Sequence, residues 1–138
     1  MYGSDPKLSP DYGRMINQRH LQRVQSYLDG INVYCGGAVD AEQLYFSPTL
    51  VLDPPLDSRL MTEEIFGPVL PLLSISSFDA AIQFVQKRDK PLSAYLFSNN
   101  SSQQQQWVEQ ISSGSQCIND VLMLSLIHIS EPTRLRRI

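Results

Sequence analysis

The sequence predicts an α/β fold, in which a largely parallel sheet is flanked by helices. From Val69 onward, strand-like and helix-like segments alternate, and only short connections separate them. The strand-like segments are short and apolar, as expected of strands that helices cover. This alternation favours right-handed strand–helix–strand crossovers, which place successive strands parallel to one another.

Local signals define the elements after residue 68. Residues 69–75 are nearly all apolar and predict a strand that is buried on both faces. Ser77 is the expected N-cap of a helix with a buried stripe, and Pro91 prevents its continuation. That stripe consists of Phe78, Ala81, Ile82 and Val85.

The alternation continues to residue 119. Residues 92–97 predict the next strand, and residues 99–101 can cap a further helix. Three side chains of that helix are expected to face inward: Trp107, Val108 and Ile111. Residues 115–119 predict a last strand.

The first part of the chain begins with a predicted helix. Ser9 is the expected N-cap and Pro10 the first helical residue, and Gly30 supplies the stop. An apolar face is expected from Ile16, Leu21, Val24 and Leu28. Two strand-like runs follow, at residues 31–35 and at residues 44–52, where Pro48 interrupts the second.

Composition and charge argue against several classes of function. The chain has 138 residues, is 42% hydrophobic and carries a formal charge of −3, so it resembles an ordinary globular domain. Charges of both signs are scattered, which does not favour nucleic-acid binding. The apolar runs are too short to span a bilayer, and the polar first residues do not resemble a secretory signal. We therefore expect a cytoplasmic protein.

The few thiols and imidazoles do not form a metal-ligand pattern. Cys35 and Cys117 are distant and not in a CxxC pair, so they predict reduced thiols and no metal site. Cys35 is expected to be a buried structural thiol. His20 lies between Arg19 and Leu21 on the first helix and is expected to be an ordinary surface residue.

Residues 124–138 differ in sequence character from residues 1–123. The run at residues 124–134 resembles a translated sequencing adapter, and we assign residues 124–138 to a non-native tail. The alternative is a genuine basic terminus, in which Arg134, Arg136 and Arg137 would contact a membrane or an acidic partner. Residues 1–123 then form the domain to be interpreted.

Glu63 and Glu64 are the first candidates for chemistry. Adjacent carboxylates point in different directions, so they do not form the facing pair that glycoside hydrolysis requires, and a solvated acidic turn is an open alternative. A glutamate can, however, accept two hydrogen bonds from a vicinal diol such as ribose. Phe66 can pack against a flat heterocycle, and Gly67 and Pro68 fix the turn that aims both side chains.

The segment from Met61 to Pro71 closely resembles the signature of the aldehyde dehydrogenase family, centred on Glu-Glu-Ile-Phe-Gly-Pro. Three other stretches resemble its class-3-like branch, which includes fatty and aromatic aldehyde dehydrogenases. They are Tyr2-Gly3 with residues 9–17, Lys90-Pro91-Leu92-Ser93-Ala94-Tyr95, and Ser112-Ser113-Gly114 with Asn119-Asp120-Val121. The resemblance covers about 120 residues and implies that residues 1–123 are part of an aldehyde dehydrogenase catalytic domain.

The resemblance implies roles for two residues. The second glutamate of the signature, Glu64, would bind the nicotinamide-ribose hydroxyls of NAD or NADP, and Phe66 would pack near the nicotinamide. Glu63 would be structural or capping. No catalytic residue is assigned, because the family's cysteine nucleophile, glutamate base and oxyanion asparagine precede the segment that this chain matches.

The family resemblance also implies the function of a complete parent protein. It would oxidise aldehydes to carboxylic acids with NAD(P)+ through a cysteine thiohemiacetal. It would be a homodimer, with membrane association possible through a missing C-terminus, while this chain alone would be inactive. A non-catalytic α/β module that binds a partner is the alternative. Cys117 would line the substrate tunnel or belong to the core, and Asn119 would have a structural role at a turn or a strand end.

Overall fold

The structure is a computed structural model, and it describes residues 2–121. The chain divides after Ser74 into two compact units, each with its own hydrophobic core. Both units mix helices with sheets that contain parallel strands, so the predicted α/β class is confirmed. The tail assigned to residues 124–138 lies outside the described residues, and its boundary stays a prediction.

The first unit begins with a turn of 3-10 helix, Pro6–Leu8, and the helix α1, Gln18–Ser26. Six further elements follow before Ser74. They are β1 (Val33–Cys35), β2 (Val39–Asp40), β3 (Tyr45–Phe46), β4 (Thr49–Leu52), α2 (Arg59–Thr62) and β5 (Val69–Leu72), with the turn of residues 53–57 between β4 and α2. One sheet has the order β1-β4-β5, and β2 pairs with β3 as a hairpin.

The pairing within the first unit is mixed. β4 and β5 run parallel with Thr49 opposite Val69, whereas β1 runs antiparallel to β4 and β2 antiparallel to β3. The core lies between α1 and the sheet and consists of Leu21, Val24, Tyr27, Phe46, Val51, Leu60 and Val69. The sheet is therefore mixed rather than almost entirely parallel.

The prediction for the start of α1 was wrong. Ser9 follows the 3-10 turn, and the N-cap is Asn17, whose side chain accepts from the His20 backbone N–H at 2.9 Å. Long-range contacts hold the preceding segment out of a helix, because the Met15 N–H donates to the Leu44 carbonyl at 2.8 Å. Ile16 consequently lies outside the helix and is 80% exposed, although Leu21 and Val24 are buried as expected.

The prediction that the strand after Pro68 is buried on both faces was also wrong. Val69 is buried, but Leu70 and Leu72 are exposed, because successive side chains point to opposite faces of the sheet. Leu70 and Leu72 pair in register with Leu50 and Leu52 of β4. Within the described residues, only one face of this strand pair is well covered.

The second unit contains α3 (Phe78–Gln86), β6 (Ser93–Leu96), α4 (Ser101–Gln110) and β7 (Ser115–Ile118). The predicted caps are confirmed, since Ser77 accepts from the Ala80 N–H and Asn100 accepts from the N–H groups of Ser102 and Gln103. β6 and β7 are parallel, with α4 connecting them. This is the strand–helix–strand unit that the sequence predicts.

The core of the second unit consists of Ile82, Ala94, Leu96, Trp107 and Ile111, with Phe78 and Val85 packed against it. Val108 is an exception to the prediction, because it is 55% exposed. One residue after Trp107 is a rotation of about 100° around a helix, which carries Val108 away from the face that Trp107 buries.

Candidate functional site

The candidate site is the loop of residues 63–68, which joins α2 to β5. Backbone hydrogen bonds fix both of its ends. The Glu63 N–H donates to the Arg59 carbonyl at 3.0 Å, and the Pro68 carbonyl accepts from the Thr49 N–H at 2.8 Å. The loop is therefore anchored on one side by a helical turn and on the other by the parallel strand pair.

Hydrogen bonds hold the side chain of Glu63 in place. Its carboxylate accepts from the Tyr27 hydroxyl at 2.8 Å and from Arg59 Nε at 2.7 Å. The hydrogen bond from Arg59, followed by that from Tyr27, lowers the pKa of Glu63 below its ordinary value. These contacts agree with a structural role for Glu63.

Two guanidinium groups lie close to the Tyr27 ring. The guanidinium carbon of Arg23 is 5.2 Å from the ring centroid and that of Arg59 is 4.9 Å from it. Both distances are within the range of a cation–π contact. Since Tyr27 is 2% exposed, this buried ring gives Glu63 and its cationic partners a rigid support.

Arg23 reaches the loop directly. Its Nη1 donates to the Glu64 carbonyl at 3.0 Å and its Nη2 to the Ile65 carbonyl at 2.8 Å. Arg23 also donates to the Tyr27 hydroxyl oxygen. A planar guanidinium can hold two acceptors in a fixed fork, so helix α1 fixes two consecutive peptide groups of the loop.

Phe66 follows this anchor in a strained backbone conformation. Its φ is +43°, in the left-handed region that bulky residues rarely adopt. Gly67 then packs against α1, where an added Cβ would lie 2.9 Å from Val24 Cγ2. The fully buried Val24 therefore leaves no room for a side chain at this position.

The two predicted cofactor-binding residues are the exposed ones of the loop. Phe66 is 72% exposed, and Glu64 is exposed as well. Among residues 2–121, the Glu64 carboxylate has no hydrogen-bonding or ionic partner, while the neighbouring Glu63 carboxylate has two. An unpartnered carboxylate and an exposed ring, two residues apart, match what a diol and a flat heterocycle would require.

A shallow cavity of about 310 Å³ adjoins Phe66. Four of its nine lining residues are aromatic; the lining consists of Tyr2, Tyr12, Gly13, Arg14, Met15, Phe46, Phe66, Gly67 and Pro68. The Tyr12 hydroxyl donates to the Phe46 carbonyl at 2.7 Å. Burial, followed by the nearby Tyr45 and Tyr2, raises the pKa of Tyr12 to about 12, so this phenol stays a neutral donor at physiological pH.

The remaining candidate residues do not join this loop. Cys35 is exposed, which corrects the expectation of a buried thiol; β1 lies at the edge of its sheet, where Tyr34 and Cys35 are both exposed. Cys117 is half-buried on β7, and His20 is exposed as predicted. Within the described part of the chain, no group of three or more potential ligands could hold a metal ion.

Asn119 has the strand-end role that was expected. Its φ is +57°, its side-chain oxygen accepts from the Ser98 N–H at 2.9 Å, and its amide donates to the Ser98 carbonyl at 3.0 Å. These contacts join the ends of the parallel strands β6 and β7. They leave both polar atoms of the side chain engaged in structure.

Sequence reasoning missed the three supporting residues of the loop: Arg23, Tyr27 and Arg59. Arg59 could have been found, because Arg59 and Glu63 have the i,i+4 spacing of a helical ion pair. Arg23 and Tyr27 meet the loop across 41 and 36 residues of sequence. No periodicity within either segment indicates such a contact.

The model of the aldehyde dehydrogenase family matches residues 2–129. A dimeric NADP-preferring aldehyde dehydrogenase of Rattus norvegicus is 45% identical over 132 residues, covering 96% of this chain and 28% of the relative. Aldehyde dehydrogenase family 3 member A2 of Mus musculus is 44% identical over 122 residues, covering 88% of this chain and 25% of the relative. This chain thus spans about a quarter of the length of these curated relatives.

Solved structures agree with these sequence matches. The substrate-bound state of a Staphylococcus aureus aldehyde dehydrogenase superposes with a TM-score of 0.83 at 42% identity, covering 95% of this chain and 28% of that one. A betaine aldehyde dehydrogenase of the same species, solved in complex with NAD+, gives a TM-score of 0.73 at 27% identity, covering 85% of this chain and 26% of that one.

Proposed function

Since this chain belongs to the aldehyde dehydrogenase family and is similar to members of its class-3-like branch, we propose that it is part of the catalytic domain of an NAD(P)-dependent enzyme that oxidises aldehydes to carboxylic acids. The complete enzyme would use a cysteine nucleophile contributed by a segment outside this chain. When bound, the nicotinamide would supply the hydride acceptor.

The observation that carries the proposal is the contrast between two adjacent glutamates. Glu63 is held by Tyr27 and Arg59, whereas the Glu64 carboxylate has no partner among the described residues and is exposed. We propose that Glu64 accepts hydrogen bonds from the nicotinamide-ribose hydroxyls and that Phe66 packs beside the nicotinamide. The cavity next to Phe66 is lined by four aromatic residues among nine, and its size suits part of such a ligand.

Either NAD or NADP is compatible with these two residues, because both cofactors share the nicotinamide ribose. The similar proteins include an NADP-preferring enzyme and one that was solved in complex with NAD+. We also propose that the complete enzyme is a homodimer, since the relative from Rattus norvegicus is dimeric. Its substrate would be a small-molecule aldehyde, with no nucleic-acid partner.

We propose a cytoplasmic location for the complete enzyme. The residues proposed to contact the cofactor lie in a polar, solvent-exposed loop, which suits an enzyme whose cofactor arrives from water. Among the described residues, no helix has the length and apolar character needed to cross a bilayer.

The isolated chain is expected to lack dehydrogenase activity. The purified 138-residue protein would be mixed with an aldehyde and with NAD+ or NADP+, and the absorbance of reduced nicotinamide would be followed. A complete aldehyde dehydrogenase serves as the positive control. Turnover by this chain above that of a heat-denatured sample would contradict the proposal that its nucleophile lies elsewhere.

The proposed role of Glu64 in cofactor binding is tested in the complete enzyme that contains this segment. We expect Glu64→Gln to lower kcat/KM for the cofactor by about tenfold or more, because it removes a charged acceptor. The matched variant Glu63→Gln should leave cofactor kinetics nearly unchanged. Equal kinetics for the two variants would refute the assignment of Glu64.

A further inference from the structure

We infer that Arg23 is a positioning residue, which holds the Glu64–Phe66 segment in the geometry that the cofactor requires. This inference rests on the proposed function of Glu64 and Phe66, and it extends that function to a residue of helix α1. The family match identifies the signature loop but says nothing about what holds it in place.

The atoms that Arg23 contacts lie next to the backbone torsion of Phe66. Arg23 donates to the carbonyl oxygens of Glu64 at 3.0 Å and Ile65 at 2.8 Å. The Ile65 carbonyl belongs to the same planar peptide group as the Phe66 nitrogen. Holding that oxygen therefore fixes the plane from which the Phe66 φ torsion is measured.

Phe66 needs a restraint on its backbone conformation. Its φ of +43° is unfavourable for an aromatic residue, and its ring is 72% exposed, so burial of the ring cannot stabilise this conformation. Neighbouring contacts must do so. Arg23 acts on the peptide before Phe66, and Val24 packs against Gly67 immediately after it.

The guanidinium group of Arg23 is itself immobilised. Its guanidinium lies 5.2 Å from the centroid of the buried Tyr27 ring and donates to the Tyr27 hydroxyl oxygen. That hydroxyl in turn donates to Glu63 at 2.8 Å. Arg23 therefore belongs to a network that also holds Glu63, which leaves Glu64 as the carboxylate directed to a ligand.

The first measurement uses the 138-residue chain and no cofactor. Backbone ¹⁵N order parameters report motion of Glu64–Gly67 directly, with about 0.85 for rigid backbone and below about 0.6 for flexible backbone. We expect rigid values in the wild type and flexible values at Ile65 and Phe66 in Arg23→Met. Arg19→Met removes the same charge from an exposed position of the same helix and should change nothing.

Arg23→Lys is the second variant, for the case in which Arg23→Met does not fold. Lysine keeps the charge and the apolar stem but cannot hold two carbonyl oxygens in a planar fork. We expect order parameters between those of wild type and a flexible loop. Wild-type values at Ile65 and Phe66 in Arg23→Met, or in Arg23→Lys where Arg23→Met does not fold, would overturn the inference.

The second measurement is of steady-state kinetics and uses the complete enzyme. We expect Arg23→Met to raise KM for the dinucleotide by about tenfold, with a smaller effect on kcat, and Arg23→Lys to recover part of the loss. A merely structural role would lower the active fraction and so kcat, without a change in KM. That second pattern would overturn the inference.

The two measurements separate failure of the inference from failure of the proposed function. If Arg23→Met loosens the loop, but neither it nor Glu64→Gln alters KM for the cofactor, the proposed cofactor role of the loop is wrong. If Glu64→Gln raises KM while Arg23→Met leaves both loop and KM unchanged, the cofactor role stands and the role of Arg23 is wrong.

Discussion

The loop of residues 63–68 and the unit that begins at Ile75 are stabilised in different ways. In the second unit, Ser77 and Asn100 cap their own helices, and the core is formed by apolar residues at helical and strand spacing. In the loop, the decisive contacts come from Arg23 and Tyr27, which are distant in sequence. The difference separates a region that mainly needs to fold from one that must hold exposed side chains in place.

The two regions also differ in how they tolerate strain. The second unit places its left-handed residue, Asn119, at a strand end, where the side chain gains two hydrogen bonds. In the loop, the left-handed residue is Phe66, which has no polar side chain to compensate. Its conformation depends on the surroundings, as is frequent for residues that contact a ligand.

The largest expected effect is in the packed region. Ile82 is 2% exposed, so Ile82→Ala should destabilise the second unit by about 2–5 kcal/mol through lost burial and a residual cavity. Denaturant unfolding followed by the fluorescence of Trp107, the single tryptophan, measures this unit. Val108→Ala on the exposed face of α4 should change stability by less than about 0.5 kcal/mol. Similar losses in both variants would contradict this description of the core.

Sequence patterns predicted the packed region well for a physical reason. Caps such as Ser77 and Asn100, and the stripe that contains Ile82, depend on neighbours within a few residues. The errors arose where distant contacts decide the outcome: the Met15–Leu44 hydrogen bond keeps Ser9 from capping α1, and the placement of β1 at a sheet edge exposes Cys35.

The candidate site shows the same division. Glu64 and Phe66 were predicted because they belong to a signature of consecutive residues, which the sequence shows directly. Their support was not predicted. The hydrogen bonds from Arg23 to the loop depend on how α1 lies against the loop, and so does the contact of Arg23 with the Tyr27 ring. That arrangement is a consequence of the complete fold of the first unit.

A glycine substitution tests whether the loop depends on its contact with α1. An added methyl at Gly67 would meet the buried Val24 at 2.9 Å, so Gly67→Ala should cost about 1–3 kcal/mol through overpacking. Gly13→Ala is the control, since a Cβ there has no neighbour within 4 Å. Unfolding followed by far-ultraviolet circular dichroism compares the two. If Gly67→Ala were as stable as Gly13→Ala, the loop would not be held against α1.

Replacing Phe66 by glycine should have a smaller effect of the opposite sign. Relief of the left-handed strain, about 1–3 kcal/mol, is partly offset by the backbone entropy of glycine, about 0.5–1 kcal/mol. We expect Phe66→Gly to be more stable than wild type by about 1 kcal/mol in thermal unfolding. Phe97→Gly, at a similarly exposed phenylalanine outside the left-handed region, should destabilise. A destabilised Phe66→Gly would show that Phe66 is not strained.

The smallest expected effect concerns the anchor of the loop and its dependence on pH. The pKa of Glu63 is lowered in the folded state by Arg59 and Tyr27, so its carboxylate stabilises the fold above the ordinary pKa of about 4.5. That contribution is lost as the pH falls and the carboxylate becomes protonated. We therefore expect Glu63→Gln to be less stable than wild type at pH 7, with the difference shrinking towards pH 3.

Glu64→Gln is the matched control for that experiment, because the Glu64 carboxylate has no partner among the described residues. Its stability relative to wild type should change much less between pH 7 and pH 3. The effect of Glu63→Gln itself should be small, since its ion pair with Arg59 is exposed to solvent. Parallel stability–pH curves for Glu63→Gln and Glu64→Gln would mean that the two carboxylates do not have separate roles, and that the Glu63 carboxylate does not help to anchor the loop.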